Sequence, residues 1–275
     1  MVDPDAGFSN GFGNETNIFA PAVSVSRPHP SSTGLDKDYS RPDPPPGRVR
    51  DGTDRCLPSD GGVTVPTTQP FVDLAEEYDQ WFEANREAYR AEQEALSELV
   101  PGDAFGVEIG VGSGRFAAPL DVDVGVDPAT PMLDRAADRG VDALLGVGEA
   151  LPLANDSVDL ALLVTTICFL DDVQATLAEA RRVLRPDGTL VAGLLDADTP
   201  VGRQYEANKD ESPFYRDASF ATTEDFVAEL EATGFTDFEF VQTIFENPAE
   251  MEEPDPVREG HGDGLFVGVR ATPDE

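Results

Sequence analysis

The chain has 275 residues, 40% of them apolar, with 54 acidic side chains against 19 basic ones and a formal net charge of −35. That apolar share suffices for a packed core, no run nears the roughly 18 apolar residues that span a bilayer, and no basic stripe is available to grip nucleic acid phosphates. The N-terminus carries Asp3 and Asp5 rather than a basic then apolar leader, so a cytoplasmic protein is expected.

An acidic excess of this size repels itself in dilute buffer, but in molar salt the screening length falls to about 3 Å. With Lys37 and Lys209 as the only lysines, the balance reads as adaptation to a salt-rich cytosol. Cys56 and Cys168 lack CxxC or Cys/His neighbours and the only histidines are His29 and His261; neither a disulfide framework nor a metal site is expected.

Residues 1–66 read as a disordered tail: they hold nearly half of the prolines, including Pro44-Pro45-Pro46, and lack periodicity. With nine acids and six bases they do not share the charge bias of the rest. This fits a start assigned too far upstream, with a true start near Val63, Val65 or Val72. A domain is expected over 67–275. Phe71, Leu74, Tyr78, Trp81 and Phe82 fall at helical spacing, a second helix runs from Arg86 to Leu99, and Pro101-Gly102 stops it. Strands and helices then alternate: Gly106–Ile109 extended, Gly114–Leu120 helical, Val122–Val126 extended, Pro131–Arg139 helical, Ala143–Leu145 extended. Val158–Val164 extended, Val173–Leu184 helical and Thr189–Leu195 extended follow, after a Pro186-Asp187-Gly188 turn. The strands are continuous Val/Ile/Leu runs, as in a parallel sheet buried on both faces. A polar, aromatic segment follows, with a lid-like insert near 197–221. A helix comes next, capped by Thr222 or Thr223 and ended by Gly234. Two last strands, Phe238–Phe245 and Leu265–Arg270, flank a long acidic loop.

The chemistry lies in Val107-Glu108-Ile109-Gly110-Val111-Gly112-Ser113-Gly114, a strand that runs into a glycine-rich turn. Glycines there let a ligand reach main-chain N–H groups. Asp127 closes the next strand, where a carboxylate can accept both ribose hydroxyls. The spacing is GxGxG rather than the dinucleotide GxGxxG, and no Lys-Ser/Thr follows as in a P-loop. An NAD-dependent oxidoreductase is one enzyme reading of this turn, and a domain that binds its nucleoside without catalysis is the non-enzyme one.

The ordered segments VEIGVGSGRF, GVDPATPML, GEALPL, DSVDLALLVTTICFLDD and EARRVLRPDGTL, with SPFYRDASF and GDGLFVGV beyond them, make the chain resemble the class I S-adenosylmethionine-dependent methyltransferases. The likeness is greatest to the small-molecule group related to ubiquinone and menaquinone biosynthesis. The resemblance implies an α/β, Rossmann-like sheet of seven strands, mostly parallel with an antiparallel last strand, and helices on both faces. It implies S-adenosylmethionine as cofactor, held by Gly110, Gly112 and Gly114 with Glu108 beside the methionine part. Asp127 would take the ribose, Pro128, Gly148 and Glu149 the adenine, and Thr165 the methionine end. Gly148 departs from the usual alanine.

Transfer of an activated methyl group needs orientation more than a catalytic residue. Asp171 and Asp172 are weak candidates for a base, against their reading as a helix cap; His261 is a weaker one. Tyr78, Trp81, Tyr205, Phe214, Tyr215 and Phe220 are candidates for the acceptor pocket. Neither the Asn/Asp-Pro-Pro-Tyr nor the Pro-Cys motif of DNA methylation occurs, so a small-molecule acceptor is expected, with neither nucleic acid nor membrane as partner.

Overall fold

The computed structural model describes residues 68–274. The Pro-rich tail, Cys56, His29 and two of the three expected restart positions, Val63 and Val65, lie outside the described residues, while the third, Val72, lies within them. Three helices lead: α1 (Gln69–Asp73), α2 (Ala75–Ala84) and α3 (Arg86–Leu99). Strand β1 (Gly106–Ile109) enters the glycine turn, and β2 (Val124–Asp127), α4 (Thr130–Asp138) and β3 (Asp142–Leu145) follow. Next come β4 (Val158–Val164), α5 (Val173–Val183), β5 (Leu184–Leu195), α6 (Pro200–Asn208) and α7 (Thr223–Ala232). The chain ends on β6 (Phe235–Thr243), β7 (Arg258–Glu259) and β8 (Phe266–Pro273).

The strands form one sheet in the order β3-β2-β1-β4-β5-β8-β6-β7. β1 to β5 pair in parallel, while β8 runs antiparallel to both β5 and β6. The sheet thus has eight strands where seven were expected. The eighth, β7, lies within the acidic loop and pairs Glu259 with Val241 and Arg258 with Gln242. Its loop is pinned: Asp255 Oδ2 accepts from Phe245 N at 2.7 Å, Gln242 Oε1 accepts from Asp263 N and Gly264 N at 2.9 Å, and Arg258 stacks over Phe245 at 3.9 Å.

Alternate residues of β4 enter two clusters, as the period of two along a strand dictates. Leu160, Leu162 and Val164 pack with Ala88, Ala91, Ala95 and Leu96 of α3. Ala161 and Leu163 pack with Leu177 and Ala180 of α5 and Phe226 and Leu230 of α7.

Residues Gly114–Leu120, expected to be helical, form successive turns instead. Ala118 N and Leu120 N still bond to Gly114 O and Phe116 O at 3.2 Å. Pro119 has no N–H for the Arg115 carbonyl, and the Tyr89 hydroxyl donates to that oxygen instead. The expected Pro-Asp-Gly turn lies inside β5 as a register shift, with Val158 opposite Leu184 and Leu160 opposite Thr189. The segment after β5 contains a true helix, α6, begun by Thr199, whose Oγ1 accepts from Gly202 N at 3.0 Å, and by Pro200 at the first turn. Thr222 is the cap of α7, accepting from Asp225 N at 3.1 Å, while Thr223 Oγ1 donates to Asp196 at 2.7 Å.

Candidate functional site

The turn after β1 folds back onto the neighbouring strand: Gly110 N and Val111 N both donate to Val126 O, at 2.8 and 3.1 Å. Gly110 sits at φ +76°, and a Cβ there would collide with the Thr166 side chain, so only glycine fits. A Cβ on Gly112 would meet only the Tyr78 ring, at 3.7 Å. Gly114 serves packing, since a Cβ there would come 3.0 Å from Ala136 Cα of α4.

Asp127, at the end of β2, ties this turn to the next one. Its Oδ2 accepts from Gly112 N at 2.9 Å and its Oδ1 from Ala129 N at 2.8 Å. Burial raises its pKa, and those two N–H bonds oppose the rise. A carboxylate has about four acceptor directions, so two remain for hydroxyls of a ligand.

Gly110, Gly112, Asp127, Pro128, Gly148, Glu149 and Thr165 line one cleft of about 370 Å³ at the C-terminal ends of β1, β2 and β4. Ligands of open α/β sheets gather at that end of the strands. Thr165 holds φ +49° at the end of β4. The same cleft is lined by Tyr78, Trp81, Tyr205, Phe214 and Tyr215. Their rings interlock with two more: Phe71 lies 5.7 Å from Tyr78 and 5.1 Å from Phe169, which stacks on Tyr215 at 5.8 Å. Phe220 stays outside the lining and packs on Tyr215 at 5.4 Å.

Other expected residues fall elsewhere. Glu108 and Gly114 do not line the cleft. The Glu108 side chain is buried, its Oε2 lacks a hydrogen-bond partner, and burial raises its pKa well above the carboxylate range, with the Asp127 charge adding to the rise. Asp171 is exposed, and Asp172 caps α5 by accepting from Ala175 N at 2.9 Å; neither reaches the cleft lining. His261 lies against Phe240 at 5.0 Å, also outside it. Burial pushes the Cys168 thiol up to about 12, which leaves it a poor nucleophile at neutral pH.

Two acids absent from the expected set organise the site. Asp79 of α2 accepts from Ser113 Oγ at 2.7 Å and from Arg115, Arg135 and Arg139 at 3.0, 3.0 and 2.8 Å. Burial alone would raise its pKa, but the bonds from Arg139, Ser113 and Arg115 prevail and hold it at about 2. This cluster fastens α2, which carries Tyr78 and Trp81, to the glycine turn and α4. The second is Glu92 of α3, which lines the cleft at 4% exposure. It occupies a core position in the register Ala88, Ala91, Ala95, Leu96, Leu99, and that break in pattern was its only sequence signal.

A family model described as a methyltransferase domain matches residues 107–192. The crystal structure of an S-adenosylmethionine-dependent methyltransferase from Thermotoga maritima, described as a possible histamine N-methyltransferase, is 45% identical. It aligns over 76% of this chain and 100% of that one, with a TM-score of 0.74. An uncharacterized protein of Methanocaldococcus jannaschii is 37% identical over 201 residues, 73% of this chain and 97% of the relative. A methyltransferase from Mesorhizobium loti, 19% identical over 66% of this chain and 97% of that one, shares the fold with a TM-score of 0.51. The chain belongs to the class I S-adenosylmethionine-dependent methyltransferases.

The residues present fit that cofactor on their own terms. Asp127 keeps acceptor capacity beside an open glycine turn, and Glu149 lines the cleft with a buried Oε1 that has no hydrogen-bond partner. An orphaned acceptor of this kind calls for a donor, such as an amino group of a ligand. Among the described residues no helix is long and apolar enough to cross a membrane.

Proposed function

We propose that the protein transfers a methyl group from S-adenosylmethionine to a small molecule held among the aromatic rings of the cleft. The observation that carries this reading is the Asp127–Gly112 bond of 2.9 Å on the wall of a cleft that aromatic rings also line. In the assignment we favour, Gly110 and Gly112 bind the cofactor's methionine part with Thr165, Asp127 binds its ribose, and Pro128, Gly148 and Glu149 flank its adenine. Within the family, the motifs favour the small-molecule group related to ubiquinone and menaquinone biosynthesis. The Thermotoga relative's described acceptor, a small molecule, suits a cleft of about 370 Å³.

The cofactor supplies a methyl group already activated on a sulfonium centre. The chain's residues then have to orient the acceptor and exclude water. Tyr78, Trp81, Phe214 and Tyr215 do both, since packed rings leave little room for solvent and fix the approach of a small acceptor. Neither the acceptor pocket nor the glycine turn offers a phosphate a cation: the described cleft lining contains no lysine or arginine. The strong negative charge suits work in a salt-rich cytosol.

Trp81 is the only tryptophan and lines the cleft, which gives a direct test. In molar KCl its fluorescence should be quenched by S-adenosylmethionine and left unchanged by NAD. Quenching by NAD alone would replace this reading with an oxidoreductase.

A further inference from the structure

The charged side chains that line the cleft are Glu77, Glu92, Asp127 and Glu149, with no cation among the described lining. Asp127 and Glu149 have work to do toward the cofactor, and Glu77 is exposed. Glu92 is left over. It is 4% exposed, on a helix face whose other members are alanine and leucine. A carboxylate is rarely buried so far without a partner of opposite charge. It lines the same cleft as Tyr78, Tyr205 and Tyr215, and its charge adds to the burial that raises the pKa of each hydroxyl.

Resting on the cofactor reading above, we propose that Glu92 is the residue that recognises the methyl acceptor, and that the acceptor is an amine that enters as a cation. Its ammonium group lies against Glu92 and its carbon skeleton among the rings of Tyr78, Trp81, Tyr205 and Tyr215. Each part of the pocket selects for this class. Aromatic faces attract a cation, and a buried carboxylate gives an N–H donor a charge-assisted hydrogen bond. A lining whose charged side chains are all acids disfavours carboxylates and phosphates. Burial pushes the Glu92 carboxyl up to about 8, so at neutral pH the empty pocket holds it protonated; it releases that proton to solvent as the ammonium enters and pairs with it, and can then take one back from the bound ammonium: the N–H bond breaks, an O–H bond forms on Glu92, and the electron pair stays on nitrogen as the lone pair a methyl acceptor needs.

The test is calorimetry in molar KCl with saturating S-adenosylhomocysteine, whose binding is measured first. The probes are phenethylamine, tyramine, histamine and cadaverine, each beside the analogue with hydroxyl in place of the primary amine. At least one amine should bind about tenfold or more tightly than its hydroxyl analogue, which is about 1.4 kcal/mol. Glu92→Gln should erase that preference and leave S-adenosylhomocysteine affinity within about twofold, since Glu92 lies outside the residues assigned to the cofactor. Equal binding within every pair, no binding by any amine, or a preference that survives Glu92→Gln overturns the proposal. The wild-type comparison stands even if the variant folds poorly. Failure of S-adenosylhomocysteine to bind the wild-type protein overturns the cofactor reading itself, and is seen before any amine is added.

Discussion

Replacing Glu92 by glutamine keeps the shape of the side chain and removes its ability to ionise, so the variant isolates what a charge costs at this position. Burial pushes the carboxyl from 4.5 up to about 8, whereas in the unfolded chain the group ionises near its ordinary value. Between those limits the folded protein keeps a proton that the unfolded chain has released, so stability falls as pH rises. At about 1.4 kcal/mol per pH unit, a gap of three to four pH units amounts to roughly 4–5 kcal/mol above pH 8, which relaxation of the site reduces toward ~3 kcal/mol. The titratable groups that feel the Glu92 charge are the hydroxyls of Tyr78, Tyr89, Tyr205 and Tyr215, whose pKa values burial raises, so they stay neutral across the window. Urea melts of both proteins in molar KCl, from about pH 5 to about pH 9, read the difference directly. The two stabilities should converge near the acid end and part steadily above it, with the glutamine variant the more stable. Parallel profiles would mean that Glu92 is solvated in the folded protein, and the reasoning about its environment would fail.

Asp127→Ala should weaken S-adenosylhomocysteine binding by ~1.5–3 kcal/mol, the usual loss for hydrogen bonds to a charged group; calorimetry reads it, and unchanged affinity would remove the ribose from Asp127. Gly110→Ala meets both φ +76° and the Thr166 side chain, so a loss of ~1–3 kcal/mol in chemical denaturation is expected, with weaker cofactor binding. Asp79→Asn leaves three guanidinium groups around an amide and should cost ~3–5 kcal/mol. In the wild type, the stability that Asp79 contributes is complete above its ordinary 3.8 and drains away as pH falls toward about 2; acid titrations of the asparagine variant should lack that component.

The parts of the site carried by one local segment were the legible ones. The GxGxG turn and Asp127 could be read because strand, turn and strand are contiguous and their spacing fixes which residues meet; the bond between Asp127 and Gly112 follows from that spacing. The aromatic wall was legible residue by residue, as Tyr78, Trp81, Tyr205, Phe214 and Tyr215, but not its ring-to-ring order. Local signals were present yet outvoted at two places. Pro119 forbids the helix expected over Gly114–Leu120, and the Thr199-Pro200 pair announces a helix in a stretch that looks merely polar. The carboxylates were harder. Asp171 and Asp172 sit just beyond a strand end, but the backbone of α5 needs a cap and Asp172 supplies it. Asp79 gathers arginines from positions 115, 135 and 139, which only the folded chain brings together. Glu92 shares its helix face with alanines and leucines, and a single acid on such a face can as easily point to water until the partner surface is known.

Turnover tests methyl transfer most directly. Purified protein in molar KCl is incubated with S-adenosylmethionine labelled in its methyl group and a deproteinised small-molecule extract of the source cells, and the products are separated by chromatography. A labelled small molecule, formed by the wild-type protein and lost with Asp127→Ala, is the expected result. Tight binding of S-adenosylmethionine with its label still entirely on the cofactor would contradict methyl transfer to a small acceptor and leave a binding protein in its place.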